Sequence, residues 1–289
     1  MDINISKVKF LLKLFFKKEF FLRIRKSIIV LRRPTCVLPY ARFHGWEMAS
    51  LQNPPTLFDD DDGKEWQKDN NELINLIKKG LFIKTEGTKG AVLRYLPELQ
   101  WRHYIVQTSV ARAYYSAKNH DQKLNLSEFG VADGLTAWFA LNKLNRLCID
   151  FQINLYDAWS EMREEMLLPS ENVNKVYSFL ALENTKRNLV KFSSNLNFIK
   201  GYIPHSLPKE VEKNLSTWIH IDLNSAQGTI DVLDKFFLNS YKGSIALLDD
   251  YGHIDFEPTR KYVDKWVSKN KKNFSLEIYP TGQAIINKF

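Results

Sequence analysis

From about residue 124 onwards, short apolar stretches alternate with longer segments of helical periodicity. LNLSEFGV (124–131) and WIHIDLN (218–224) are two of the apolar stretches, and TAWFALNKLN (136–145) is the first helical segment. Because parallel strands are joined by crossovers that usually contain a helix, this alternation predicts a mostly parallel sheet with helices on both faces. Further helices are expected near 71–80, 98–118, 171–191, 228–240 and 257–269, and short strands near 81–98.

The end of the chain follows a different pattern. SLEIYP (275–280) and QAIINKF (283–289) both favour strands, and only Thr281 and Gly282 separate them. This arrangement predicts an antiparallel hairpin with a two-residue turn. A parallel sheet that finishes in an antiparallel hairpin is an uncommon combination, and it narrows the fold class.

Basic charge is concentrated in residues 1–33. They contain ten lysines and arginines and two acids, a net charge of +8 that equals the net charge of all 289 residues. The remaining residues therefore sum to zero, which argues against a nucleic-acid-binding surface on the folded part. We accordingly expect three regions: the basic segment 1–33, an N-terminal extension over 34–123, and a regular α/β domain over 124–289.

The basic segment has the pattern of an amphipathic helix, with Lys9, Lys13 and Lys17 on one face and apolar residues opposite. No uncharged run in it approaches the roughly 18–20 residues needed to cross a bilayer. Two interpretations stay open: a helix on an anionic membrane surface, and a helix packed on its own domain or on a second copy of the chain. Cys36 and Cys148 are too few and too far apart for a disulfide framework, so a cytoplasmic location is expected, at the inner face of a membrane under the first interpretation.

Glycines and polar residues follow each of the successive strands. They are Gly130 and Gly134 after the first strand, Asp157 after the second, Gly201 and Tyr202 after the third, Asp222 and Asn224 after the fourth, and Asp249 and Asp250 after the fifth. The carboxyl ends of parallel strands form one edge, and open α/β sheets bind ligands there. The glycine spacing satisfies neither a dinucleotide fingerprint nor a phosphate-binding P-loop. We therefore expect one site that is built from several strand ends.

The stretches EFGVADGLT, LYDAW, KGYIPHSLP, HIDLNSAQGTIDVL, LLDDYG and PTGQAI resemble, in order and spacing, the motifs of the macrocin O-methyltransferase family. The resemblance covers about 124–289 and does not extend to residues 1–123. It implies a Rossmann-like class I methyltransferase fold with a seven-stranded sheet. It also implies S-adenosylmethionine as the cofactor and a sugar hydroxyl as the methyl acceptor, with the N-terminal extension on the acceptor side.

The resemblance implies a role for individual residues as well. Those implied for the cofactor are Glu128, Gly130 and Gly134 at its methionine end, Asp157 at the ribose, and Gly201 and Tyr202 beside the adenine. Family members of known mechanism use a divalent ion, typically Mg²⁺, and the implied ligands are Asp222, Asp249 and Asp250.

Methyl transfer to a sugar hydroxyl requires that the hydroxyl lose its proton or have its pKa lowered. A divalent ion that is chelated by two neighbouring hydroxyls would do the second. Asp222 is the leading candidate for the base, and His253, just beyond the acidic pair, is another. Asn224 stands where the family usually has a second acid; its amide oxygen can still serve as a neutral ligand, but one negative charge near the ion is lost.

Three functions are therefore considered. The first is O-methylation of a sugar in polysaccharide or other glycoconjugate biosynthesis, which the basic segment favours because lipid-linked glycans are made at the cytoplasmic face of a membrane. The second is O-methylation of a small catechol-like metabolite, which uses the same strand-end chemistry. The third is a non-catalytic methyltransferase-fold subunit of a membrane-associated glycan-assembly complex, which Asn224 motivates.

Overall fold

The computed structural model describes residues 61–85, 93, 99–169, 171, 175–208, 215–253 and 256–289. The predictions for the basic segment 1–33 and for residues 34–60 lie outside this part of the chain. Most of 81–98, where short strands were expected, is also outside it, and residues 81–85 are not in a strand. Among the helices that are described, none is long and apolar enough to cross a bilayer.

The regular elements agree closely with the expected alternation. The strands are β1 (Leu126–Phe129), β2 (Ile153–Asp157), β3 (Leu196–Lys200), β4 (Trp218–Ile221), β5 (Ile245–Leu248), β6 (Phe274–Ile278) and β7 (Ala284–Lys288). The α-helices are α1 (Asp61–Lys79), α2 (Gln100–Asn119), α3 (Leu135–Arg146), α4 (Leu182–Asn188), α5 (Ala226–Val232) and α6 (Glu257–Lys269). Short 3₁₀ segments cover Glu164–Met166, Lys175–Phe179 and Val190–Asn195, and a π-helical turn covers Leu233–Phe237.

The strands form one seven-stranded sheet in the order β3-β2-β1-β4-β5-β7-β6. Strands β1 to β5 are parallel to one another, whereas β7 is antiparallel to both β5 and β6. The prediction of a mostly parallel seven-stranded sheet that ends in an antiparallel hairpin is confirmed. Because the strand order reverses between β1 and β4, a crevice for ligands is expected outside their carboxyl ends.

Each face of the sheet carries its own apolar core. Strand side chains point alternately to the two faces, so Trp218 and Leu247 enter one cluster while Ile219 and Leu248 enter the other. Helices α1, α2 and α3 contribute to the first cluster, and α5 and α6 to the second. The indole Nε1 of Trp218 donates to the hydroxyl of Ser109 on α2 at 2.9 Å. Helix α2 of the N-terminal extension is thus anchored directly above β4.

The terminal hairpin differs from its prediction by one residue. Tyr279 N–H donates to the carbonyl of Gln283 at 2.9 Å, and Gly282 N–H donates to the carbonyl of Tyr279 at 3.0 Å. The turn therefore contains residues 280–282, and Gly282 has the positive φ of 88° that closes a three-residue loop. Gly252 N–H donates to the carbonyl of Gly282 at 2.6 Å, so this loop packs against the end of β5.

The helix expected near 171–191 is interrupted. A 3₁₀ segment over Lys175–Phe179 precedes α4, and Ala181 between them is extended, with φ −138° and ψ 128°. An extended residue cannot continue helical hydrogen bonding, so the helical pattern in the sequence yields two short pieces. The helix expected near 228–240 begins at Ala226 and passes into the π-helical turn, where Leu238 N–H donates to the carbonyl of Leu233 at 2.8 Å.

Candidate active site

The carboxyl ends of the parallel strands bring the predicted residues to one edge of the sheet. They lie there as two groups. We call residues 128–134 with Asp157, Gly201 and Tyr202 the glycine-loop side, and we call Asp222, Asp249 and Asp250 the acidic cluster. Asp222 directly follows β4 and Asp249 directly follows β5.

Gly130 joins the two groups. Its N–H donates to the carbonyl of Tyr156 at 2.9 Å, and Asp222 N–H donates to the carbonyl of Phe129 at 2.8 Å. A β-carbon at Gly130 would overlap the backbone oxygen of Asp222, and its φ of 85° also favours glycine. Glycine is therefore required here by the close approach of two backbones, whatever ligand the site holds.

Asp157 is turned towards the glycine loop. Its Oδ2 accepts the N–H groups of Val131 and Ala132 at 2.7 and 2.8 Å, and its Oδ1 accepts the N–H of Trp159 at 2.6 Å. Burial raises the pKa of this carboxyl, while the three N–H groups oppose that rise and the charge of Asp222 adds to it. Since a carboxylate has about four acceptor positions, one is left for a ligand. Its contact with a ribose stays a prediction.

Glu128 is fully buried on the face of the sheet that α2 covers. Its Oε1 lies 3.1 Å from Nδ1 of His220, and its Oε2 has no hydrogen-bond partner among the described residues. Burial raises the pKa of the Glu128 carboxyl, and the hydrogen bond to His220 opposes the rise. Buried polar oxygens are rarely left unpaired. The unpaired Oε2 is an acceptor suited to an ammonium group such as the one at the methionine end of the implied cofactor.

Gly134, Gly201 and Tyr202 border the same edge. Gly134 precedes α3 with a φ of 84°, and a β-carbon there would press on the side chain of Leu189 at 3.0 Å. The Tyr202 hydroxyl donates to the carbonyl of Glu161 at 2.8 Å and lies 2.6 Å from the hydroxyl of Ser160. The guanidinium of Arg163 lies 4.2 Å above the ring of Tyr202. The proximity of Gly201 and Tyr202 to an adenine stays a prediction.

The N-terminal extension reaches the glycine loop. The N–H of Thr85 donates to Oδ2 of Asp133 at 2.8 Å, and the N–H of Ile83 donates to Oδ1 of Asn188 at 2.7 Å. Asn188 in turn donates to the backbone carbonyl of Asp133 at 2.8 Å. The acid in the ADG sequence of the loop is thus buried and holds residues 83–85 in place.

The acidic cluster has the composition of a cation site. Asp222, Asp249 and Asp250 each present a carboxylate oxygen, and these oxygens all lie within 4.8 Å of one another. The parallel pairing of Ile221 with Leu248 aligns the two strand ends that carry them. Hard oxygen ligands are those that Mg²⁺ prefers, so the donor set fits the implied ion.

Arg102 on α2 lies against this cluster, and sequence reasoning did not single it out. Its Nε donates to Oδ1 of Asp249 at 2.7 Å, and its Nη2 donates to Oδ2 of Asp222 at 3.0 Å and also to Oδ2 of Asp249. Gln283, from the terminal hairpin, donates to Oδ1 of Asp249 at 2.9 Å. The nearly buried carboxylate of Asp249 therefore has donors from two distant parts of the chain.

Asp250 is satisfied by Asn224. The backbone N–H and Nδ2 of Asn224 both donate to Oδ2 of Asp250, at 3.1 and 2.6 Å, and the hydroxyl of Tyr177 donates to Oδ1 of Asn224. Burial, reinforced by the charge of Asp222, raises the pKa of Asp250 to about 7. The interpretation of Asn224 as an oxygen ligand does not fit this arrangement, because its oxygen faces Tyr177 and its amide group faces Asp250.

His253 lies at the outer margin of the acidic cluster. Its N–H donates to the carbonyl of Asp250 at 3.2 Å, its side chain is exposed, and its ring lies 5.0 Å from that of Phe256. Its role as an alternative base stays a prediction.

The fold recurs in solved methyltransferase structures. The chain superposes on the O-methyltransferase NovP with a TM-score of 0.54 and 16% identity, over 65% of its own length and 78% of that chain. It superposes on the calicheamicin methyltransferase CalS11 with a TM-score of 0.50 and 15% identity, over 80% of its own length and 94% of that chain. No protein-family model and no curated protein matches the sequence. The fold is thus the Rossmann-like methyltransferase fold.

Proposed function

We propose that this chain is an S-adenosylmethionine-dependent O-methyltransferase that acts on a sugar hydroxyl. The observation that carries the proposal is the contact, through Gly130, between a glycine loop held by Asp157 and a cluster of three carboxylates at the next strand ends. One side suits a cofactor and the other suits a polar acceptor, and the two touch at the switch point of the sheet. Both solved neighbours are methyltransferases by name, and the sequence motifs resemble those of a sugar-methylating family.

The glycine-loop side would hold the cofactor. Glu128 offers the cofactor's ammonium group a buried oxygen that no described residue hydrogen-bonds, and Asp157 retains one acceptor position for a ribose hydroxyl. Gly201 and Tyr202 follow β3 on the same edge, beside Asp157, whose carbonyl accepts the N–H of Gly201 at 2.9 Å. When bound, S-adenosylmethionine supplies a methyl group on a positively charged sulfur.

Asp222 is the residue best placed to take the proton from the acceptor hydroxyl. Its side chain is 21% exposed, compared with 4% for Asp249, so it can reach a bound acceptor. Asp250 is less suited, since it is buried and Asn224 already donates two hydrogen bonds to one of its oxygens. Removal of the proton by a positioned carboxylate is worth roughly 10²–10⁴-fold in rate.

Asp222, Asp249 and Asp250 would also hold a divalent ion, with Mg²⁺ as the proposed species. An ion there would lower the pKa of an acceptor hydroxyl that coordinates it. The acceptor is proposed to be a glycan that is assembled at the cytoplasmic face of a membrane, and the basic segment 1–33 supports this part of the proposal. Flotation of the full chain with anionic liposomes, compared with a chain that lacks residues 1–33, tests it; equal flotation of the two would contradict it.

The decisive experiment has two stages. Calorimetry should first detect binding of S-adenosylmethionine to the full chain. Transfer of an isotope-labelled methyl group should then be measured with nucleotide-linked sugars, lipid-linked glycans and catechols as acceptors, with Mg²⁺ and with a chelator. We expect labelled sugar products whose yield falls when the ion is removed.

The outcomes separate the three functions. Labelled catechols without labelled sugars would favour the small-metabolite alternative, and absence of cofactor binding would favour the non-catalytic subunit. Asp222→Asn should abolish most transfer, while Asp231→Asn serves as the matched control. Asp231 lies on α5, where its carboxylate accepts from Gln227 at 3.0 Å rather than from a residue of the site.

A further inference from the structure

The acidic cluster already contains a cation that belongs to the chain. The guanidinium of Arg102 lies between Asp222 and Asp249 and donates to both. Its Nη2 donates to Oδ2 of Asp222 at 3.0 Å, and its Nε donates to Oδ1 of Asp249 at 2.7 Å. It reaches both oxygens of Asp249, in the two-pronged geometry that favours arginine over lysine. Arg102 comes from α2, 120 and 147 residues before its two partners.

Burial explains why a cation is needed there. The side chain of Asp249 is 4% exposed, and three carboxylates lie within a few ångströms of one another. A buried carboxylate without a compensating charge is strongly destabilising, and neighbouring carboxylates repel one another. Gln283 supplies a hydrogen bond to Asp249 but no charge. Arg102 therefore neutralises part of the cluster.

The same position cannot hold Arg102 and a metal ion together. Mg²⁺ requires oxygen ligands at about 2.0–2.1 Å in near-octahedral geometry. Arg102 donates to both oxygens of Asp249 and to Oδ2 of Asp222. An ion that bound Asp249 would therefore need an oxygen to which Arg102 donates, and its charge would repel the guanidinium. The Arg102 side chain is 27% exposed, and its long flexible stem allows it to swing towards solvent without unfolding α2.

We propose that Arg102 is the resident cation of the acidic cluster and that a divalent ion binds there only by displacing its guanidinium. The inference rests on the proposed function in one respect, namely that the cluster takes a divalent ion. It adds that ion binding breaks the side-chain contacts of Arg102 with Asp222 and Asp249, while α2 stays anchored through Ser109 and Trp218.

The test compares Mn²⁺ binding by four full-length proteins, measured from the electron paramagnetic resonance signal of free Mn²⁺: the unmodified chain, Arg102→Gln, Arg102→Lys and Arg112→Gln. We expect Arg102→Gln to bind Mn²⁺ about tenfold more tightly than the unmodified chain, because the competing charge is gone. Arg112→Gln is the control. Arg112 lies on the same helix, is exposed, and pairs with Glu277 at 3.4 Å, so its loss should leave the Mn²⁺ affinity unchanged.

Melting temperature supplies an independent readout. Without added ion, Arg102→Gln should melt roughly 5 °C below the unmodified chain, because a buried carboxylate loses its partner. Mn²⁺ should raise the melting temperature of Arg102→Gln by more than it raises that of the unmodified chain. Arg102→Lys keeps the charge and loses the two-pronged contact, so it should bind Mn²⁺ with an affinity between the other two. If Arg102→Gln fails to fold, the comparison of Mn²⁺ affinity between Arg102→Lys and the unmodified chain still tests the proposal.

Several results would overturn the inference. Mn²⁺ affinity that is unchanged or weaker in Arg102→Gln would mean that Arg102 does not compete with the ion. If no variant bound Mn²⁺ at millimolar concentration, Arg102 would stay in the acidic cluster under all conditions, and the proposed replacement of its guanidinium by a divalent ion would be wrong. None of these measurements involves methyl transfer. A chain that shows the expected Mn²⁺ competition but binds no S-adenosylmethionine would keep this inference and lose the proposed function.

Discussion

The glycine-loop side and the acidic cluster stabilise their buried carboxylates by different means. Asp157 on the glycine-loop side accepts three backbone N–H groups, the most distant of them 26 residues away in the sequence. Asp249 in the acidic cluster depends on the side chains of Arg102 and Gln283, which lie 147 and 34 residues away. One arrangement forms when β1 and β2 pair, and the other requires that α2 and the terminal hairpin have docked.

Backbone donors and side-chain donors differ in how easily they can be replaced by a ligand. Backbone donors persist whatever side chains surround them, so Asp157 keeps its three hydrogen bonds as long as β1 and β2 stay paired. Side-chain donors can leave by rotating, so the acidic cluster can exchange Arg102 for another cation or for an acceptor. The following predictions test whether the two sides behave as separately as their contacts suggest.

The largest expected effect is on the acidic cluster. Asp222→Asn should lower the turnover number for methyl transfer by roughly 10²–10⁴-fold, because an amide cannot take the proton from the acceptor. The dissociation constant for S-adenosylmethionine should change little, since among the described residues the Asp222 side chain hydrogen-bonds Arg102 and not the glycine loop, and its charge makes only a minor contribution to the raised pKa of Asp157. Steady-state kinetics and calorimetry measure the two quantities. A large loss of cofactor affinity would show that the two sides are not independent.

Gly130→Ala should damage both sides together. The new β-carbon would overlap the backbone oxygen of Asp222, and the φ of 85° adds strain, so we expect a loss of about 3 kcal/mol in the free energy of unfolding. Gly80→Ala is the matched control, because Gly80 also has a positive φ but a β-carbon there meets nothing within 4 Å. That change should destabilise by only about 1 kcal/mol. Urea denaturation distinguishes overlap from backbone strain, and equal losses would contradict the proposed overlap.

Asp157→Asn should affect the glycine-loop side alone. An amide nitrogen in place of one oxygen leaves at least one buried N–H of the loop unpaired, which costs about 2 kcal/mol of stability and weakens the binding of S-adenosylmethionine. Mn²⁺ affinity should not change. Asp150→Asn, at an exposed aspartate before β2, provides the control. If Asp157→Asn weakened Mn²⁺ binding instead, the proposed separation would be wrong.

The smallest expected effect concerns His103, which is buried and follows Arg102 directly on α2. Burial, with smaller contributions from Arg102, Lys84 and His220, lowers its pKa well below the usual 6.5. Folding therefore keeps His103 neutral. Below pH 6.5 this histidine becomes protonated in the unfolded chain but not in the folded one, so the free energy of unfolding falls as the pH falls; above pH 6.5 the full stability is retained. His103→Phe removes this loss and keeps the stack on Phe139, whose ring lies 4.1 Å away.

Urea denaturation at two pH values measures the effect. Relative to the unmodified chain, His103→Phe should gain about 1 kcal/mol in the free energy of unfolding between pH 6.5 and pH 5.5. His120→Phe, at the exposed histidine that directly follows α2, should show no such gain. A parallel pH response of His103→Phe and the unmodified chain would mean that His103 becomes protonated in the folded state.

Much of the fold could be predicted because its signals are local. Apolar stretches with strand-like length, helical periodicity and the Thr281-Gly282 turn each depend on a few neighbouring residues, and together they imply a parallel sheet with a terminal hairpin. The errors arose where tertiary contacts decide. Gly282 packs on Gly252 and widens the turn by one residue, and the extended Ala181 divides a segment that has a helical pattern.

The candidate site was predictable to a similar extent. Polar residues and glycines that follow parallel strands must meet at one edge, so the shared edge of Asp222, Asp249 and Asp250 could be predicted from the strand ends, and the family resemblance implied that the three lie together. Arg102 could not be found in this way. It is a single basic residue near the start of a long helix, and nothing within 100 residues of it in the sequence indicates its partners.

The sequence by itself determined the sheet and the positions of the acids along its carboxyl edge, because strand period and strand-end chemistry are properties of short segments. Only the tertiary structure decided what each acid contacts: backbone N–H groups for Asp157, His220 for Glu128, Asn224 for Asp250, and Arg102 for Asp249. The reason is physical. Backbone pairing follows from local patterns, whereas the partner of a buried charge is set by whichever donor the packing of distant helices brings within about 3 Å.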